Sequence, residues 1–219
     1  MIFVRDKGRM CNNILQYGHL YAWGREHKRL TTSMRFAYKY KYFKICHTRY
    51  HHFAVYAFAK YASKWGLIPV VKFNDDGADY SENERKMLNS RMIVAEGWYV
   101  RYPELFIKYK DKIKDLFRFD QAISEKIDHK LDKYNHSDII KLGVHIRRGD
   151  YARWQGGKYL YSDQQYISII RNFIENHHQQ KVSVFICGND PSLDKDSFMN
   201  AIGEENVSFP DGNPGEDLC

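Results

Sequence analysis

The chain has 219 residues, 43% of them hydrophobic and 28% charged, a composition that suits one large globular domain or two small ones and excludes a disordered chain. Lysine and arginine outnumber aspartate and glutamate by 34 to 27, and the formal charge of +7 favours an anionic partner: nucleotide phosphates, nucleic acid or an acidic membrane surface. Cys11, Cys46, Cys187 and Cys219 lie far apart and outside any C-x-x-C pair, and "MIFV" is too short for a signal core or a membrane span, so reduced thiols in a cytosolic protein are expected.

Residues 2–5 read as a first strand, followed by the loop "DKGRM" and a helix from about Asn12 to Glu26 with Gly18 inside it. A mid-helix glycine costs about 1 kcal/mol against alanine, so close packing on a neighbour is its justification. "RLTTSM" completes a β-α-β unit. Residues 50–65 fit a helix closed by Gly66, and "LIPVVKF" follows as a strand whose Pro69 argues for an edge or an end. "SENE" at 81–84 has the spacing of a capping box, "MIVAEGW" reads as a strand, and residues 103–134 are helical and heavily charged.

In the second half, "IIKLGVHI" (139–146) is an apolar run expected to be a strand buried on both faces. Ser162 and Gln165 form an S-x-x-Q capping box, with Tyr161 and Tyr166 placed as a hydrophobic staple. Tyr166, Ile169, Ile170, Phe173 and Ile174 make one helix face, and "KVSVFIC" (181–187) supplies a parallel strand. The architecture is α/β throughout: two Rossmann-like halves with parallel sheets, meeting near "KYNHSD" (133–138).

Arg147 and Arg148 stand where the 139–146 strand emerges, the end at which ligands bind in open α/β sheets. Guanidinium grips phosphate through two parallel hydrogen bonds and keeps its charge at any working pH. Gly149 permits a sharp turn, and Asp150 could orient an arginine or serve as a base. At the other end of the chain, Gly8 and Arg9 precede a helix whose first turn carries Asn12 and Asn13. The N–H groups there make an anion site, or else an asparagine simply caps the helix.

"HIRRGDY" (145–151), with "GRMCNNILQYGHLYA" (8–22) upstream and "EGWYVRYPELF" (96–106) between, resembles the bacterial α-1,2-fucosyltransferases, glycosyltransferase family 11. The family's G-R-x-G-N-Q stands here as G-R-M-C-N-N, with Cys11 for a glycine and Asn13 for a glutamine. The resemblance implies a GT-B-like fold, with residues 1–135 the acceptor-side domain and residues 136–219 a partial nucleotide-sugar domain. It also implies inverting, metal-independent transfer of fucose from GDP-fucose to the 2-hydroxyl of a galactoside, with no cofactor, in surface glycan synthesis. Carried over, Arg147 holds the β-phosphate, Arg148 supports it and His145 shapes the strand end. Gly8, Arg9, Asn12 and Asn13 face the donor, Tyr151 belongs to the same substrate-binding set, and Asp150 is the nearest carboxylate for the acceptor proton, with Asp6 an outside candidate. After "GEDLC" no serine- and tryptophan-rich motif of the family follows, which implies a truncated donor half. The expected setting is the cytoplasm, with peripheral contact to the inner membrane face.

Three competing signals carry less weight. "DKD" (194–196) matches the metal-holding D-x-D pattern but reads as a solvated loop, and the adjacent pairs His51-His52 and His177-His178 read as surface histidines rather than ligands. "RFAYKYKYFKICHTRYHH" (35–52) interleaves basic and aromatic residues as a nucleic-acid platform does, yet an amphipathic segment with packed tyrosines and solvated lysines is the better reading. A basic nucleic-acid-binding α/β protein and an inactive GDP-sugar binder remain the alternatives, and no nucleic-acid partner is expected.

Overall fold

The computed structural model describes residues 1–131, 138–188 and 190–209, apart from the side chains at 126, 127, 130, 131 and 150. The chain divides into two compact units, Met1–Ile123 and Ser124–Cys219. The expected junction at 133–138 falls, except for Asp138, outside the described residues.

The first unit opens with β1 (Ile2–Arg5), α1 (Met10–Glu26) and β2 (Thr31–Ser33), and continues with α2 (Phe53–Lys64), β3 (Val70–Lys72), α3 (Ser81–Asn89) and β4 (Ile93–Glu96). The four strands form a wholly parallel sheet in the order β2-β1-β4-β3, so β3 with its preceding Pro69 is an edge strand as expected. Alternation along β1 divides the core. Ile2 and Val4 join Tyr17, Leu20 and Trp23 of α1 on one face, while Phe3 and Val94 pack against Ala59 and Ala62 of α2 on the other. Both faces of the central strands are covered, which is why β1 and β4 read as unbroken apolar runs.

Gly18 has the role its position demands: a Cβ there would stand 2.5 Å from Cε2 of Phe106, on the short helix α4 (Pro103–Lys108). Helices α5 (Lys110–Leu116) and α6 (Gln121–Leu131) continue the charged stretch. The "SENE" capping box does not form. Ser81 is the first helical residue, and Asp79 instead accepts its backbone N–H and its hydroxyl. His51 also departs from the surface reading. It is 5% exposed, its Nε2 accepts the Ser33 N–H at 2.9 Å, and burial holds its imidazole down at about 4, so it is a neutral core residue.

The second unit holds β5 (Ile139–Ile146), α7 (Asp163–Asn176), β6 (Lys181–Gly188), α8 (Lys195–Ile202) and β7 (Val207–Ser208), with a parallel three-stranded sheet in the order β5-β6-β7. β5 pairs with β6 over its whole length, Ile139 against Lys181 through Ile146 against Gly188. It is an edge strand, not the doubly buried one expected. Ile140, Leu142 and Val144 pack on the core, while Lys141, Gly143 and His145 are exposed. The Ser162–Gln165 capping box is present in both directions, and the Tyr161 and Tyr166 rings meet at 6.0 Å. On α7, Tyr166, Ile170, Phe173 and Ile174 pack on the core as expected and Ile167 joins them, whereas Ile169 is 62% exposed. No helix among the described residues is long and apolar enough to cross a membrane.

Candidate functional site at the ends of the strands

In the second unit the chain leaves β5 at Ile146 and enters a 3-10 turn at Gly149–Ala152, so Arg147 and Arg148 occupy the carboxyl end of the strand as expected. The structure separates their roles. The Arg148 side chain is 15% exposed and spans three elements. It pairs with Asp163 at the first position of α7, reaches Asp190 beyond β6 at 3.5 Å, and donates Nε–H to the Tyr161 carbonyl at 3.1 Å. These bonds hold the guanidinium charge strongly, Asp163 foremost. Arg148 is thus a strap that ties the end of β5 to the start of α7 and to the segment after β6.

Arg147 is half-buried, and its guanidinium carbon lies 4.7 Å from the centroid of the Tyr151 ring. Tyr151 in turn stacks on Trp154 (5.2 Å, 22° between planes), which meets Tyr159 at 5.2 Å. A cation–π contact uses the flat face of a guanidinium, whereas phosphate is gripped by its N–H edge. His145 is exposed on β5. The Asp150 backbone lies in the 3-10 turn, and its side chain is outside the described residues. Asp163, Asp190 and Trp154 were not singled out by sequence. An acidic residue directly after a helix cap, as Asp163 is, was the one local signal available.

In the first unit, Gly8 (φ +91°) turns the chain into α1, with Arg9 as a cap that makes no side-chain bond. Arg9 and Asn12 are exposed, but Asn13 is fully buried. Gln16 does the bracing: its amide donates to the Lys7 and Asn12 carbonyls and accepts the Lys7 N–H. The first N–H groups of α1 have no helical acceptors and carry the positive end of the dipole.

Beside this loop's strand, at the carboxyl ends of β1 and β2, lies a cavity of about 430 Å³. Arg5, Asp6, Arg35 and, from α2, Lys60 and Lys64 line it, with Tyr38 and Tyr56 forming an aromatic wall (ring centroids 4.6 Å apart). Asp6 is 2% exposed; burial pushes its carboxyl up to about 7, against the opposing effect of the hydroxyl of Ser33, which donates to Oδ2 at 2.6 Å.

The "DKD" segment has a part in the fold. Asp194 caps α8 by accepting the backbone N–H and the hydroxyl of Ser197, and no cluster of three or more metal-ligating side chains occurs among the described residues. In the 35–52 segment Phe36 and Phe43 are buried against each other and Phe117, while Lys39, Lys41 and Lys44 are exposed.

Comparison with protein-family models and with curated proteins gives no match. Solved structures do match over the length of the chain. POFUT1 in complex with GDP-fucose aligns with a TM-score of 0.54 at 12% identity, covering 99% of this chain and 86% of that one. The fucosyltransferase NodZ from Bradyrhizobium aligns at 0.55 and 11% identity, covering 98% and 79%. This chain shares its fold with fucosyltransferases. A mutant of Arabidopsis thaliana FUT1 in complex with GDP aligns at 0.61 and 9% identity, with 99% of this chain spanning 61% of its length, less than two thirds.

Proposed function

We propose that this chain is a GDP-fucose-dependent fucosyltransferase that acts on the 2-hydroxyl of a galactoside in surface glycan synthesis. The observation that carries this reading is a half-buried arginine at the mouth of β5, in a fold whose solved examples include complexes with GDP and GDP-fucose. Arg147 grips the diphosphate through its N–H edge while Tyr151 supports its face. As the bond from the sugar to the diphosphate stretches, negative charge builds on the leaving group, and a fixed cation there stabilises the transition state more than the ground state. Arg148 acts as a positioning residue, because its own hydrogen bonds go to Asp163, Asp190 and Tyr161. The Gly8–Asn13 loop offers the first unit's N–H groups to an anion. A guanidinium takes the part that a divalent ion plays elsewhere, so transfer proceeds without metal.

A second reading, a GDP-sugar binder without turnover, is favoured by the engagement of Arg148 with Asp163, Asp190 and Tyr161, which takes that cation away from the phosphates. Incubation with GDP-fucose and a panel of β-galactosides separates the two. Release of GDP with a fucosylated product supports transfer; GDP binding with no release supports the binder; neither overturns both.

A further inference from the structure

We propose that the first unit's cavity takes an acidic saccharide, a galactoside-shaped sugar bearing a carboxylate; that this sugar is the acceptor rests on the transferase reading, whereas its binding does not. The cavity is large enough for a small ligand. Its charge is one-sided. Arg5 is neutralised by Glu96 at 2.9 Å, but Arg35, Lys60 and Lys64 form no ion pair with a carboxylate among the described residues. Arg35 bonds instead to the Tyr38 hydroxyl and the Asp6 carbonyl, and Lys60 lies 5.5 Å from the Tyr56 ring centroid. Three cations gathered on one pocket with a single buried carboxyl, Asp6, among them are in excess and suited to an anion.

The floor of the pocket asks for something else. Asp6 presents a buried Oδ1 with no hydrogen-bond partner, a costly state that a ligand hydroxyl relieves. A bare phosphate satisfies the cations but sets its charge against Asp6. A neutral sugar satisfies Asp6 but leaves the cations unanswered. A sugar acid meets both demands, its carboxylate on Arg35, Lys60 and Lys64, a hydroxyl on Asp6, and its C–H face on Tyr38 and Tyr56.

Two probes that differ only at the sixth carbon test this: methyl β-galacturonoside and methyl β-galactoside, titrated calorimetrically into the full chain, with inorganic phosphate as a third arm. The galacturonoside is expected to bind about tenfold more tightly than the galactoside or more, the worth of one charge-assisted hydrogen bond. The Lys60→Ala/Lys64→Ala double variant, altered only at exposed side chains, is expected to lose that preference. Equal affinity for the two sugars, a preference that survives in the double variant, or phosphate binding more tightly than the galacturonoside would each overturn the proposal. A GDP titration of the same sample keeps the two readings apart, since galacturonoside binding without GDP binding refutes the transferase and leaves this site standing.

Discussion

Replacing Arg148 by alanine tests whether that residue is a strap or a ligand. The substitution removes the hydrogen bond to the Tyr161 carbonyl, worth about 1 kcal/mol. It also leaves the Asp163 and Asp190 carboxylates, whose side chains are 21% and 14% exposed, without their cation. Exposed pairs contribute at most about 1 kcal/mol and breaking a fully buried one costs about 3–5, so a partly buried pair lies between, at about 1–2 kcal/mol. Asp163 keeps the positive end of α7, and Asp190 keeps its bonds from Ser192, which limits the loss. The total is about 2–3 kcal/mol, or a fall in midpoint of roughly 10 °C for a unit of this size. Thermal unfolding, with hydrogen exchange of second-unit amides to locate the loss, reads it directly. An unchanged midpoint together with lost GDP affinity would refute the strap and make Arg148 a phosphate ligand.

Three further outcomes are expected. The Asp6 carboxyl titrates at about 7 when folded against an ordinary value near 4, so its stabilising contribution is present below about pH 4 and is lost as pH rises through 7. Asp6→Asn should therefore unfold later than the parent at pH 8, by on the order of a few kcal/mol, and alike at pH 4; parallel pH profiles would contradict this. Gly18→Ala should lower the urea midpoint, because overpacking against Phe106 costs about 1–3 kcal/mol and outweighs the roughly 1 kcal/mol gained in helix propensity. A variant as stable as the parent would refute the close contact. EDTA should leave fucosyl transfer intact, and strong inhibition would show that a metal takes part.

The elements set by local pattern were legible. Apolar runs marked β1, β4, β5 and β6, and the Ser162 capping box marked the start of α7. Other features depend on competing local partners or on contacts between segments remote in the chain. β5 reads as doubly buried, but its face at Lys141, Gly143 and His145 is exposed, and strand pattern alone does not show which face the rest of the unit covers. The box at Ser81 failed because Asp79, two residues upstream, offers its carboxylate first. At the site, the position of Arg147 and Arg148 followed from the strand, but their division of labour did not. It is decided by Asp163, Asp190 and Tyr151, which no periodicity links to the arginines. The pocket around Asp6 was hidden for the same reason, since β1, the segment after β2 and α2 each supply part of it.

Calorimetric titration of GDP into the parent chain and into Arg147→Ala bears most directly on the diphosphate grip. Loss of two charge-assisted hydrogen bonds should weaken binding by about 3 kcal/mol or more, beyond about 100-fold, in a variant whose circular dichroism is unchanged. Equal GDP affinity in the two proteins would contradict a phosphate-binding Arg147, and with it the fucosyl transfer built upon it.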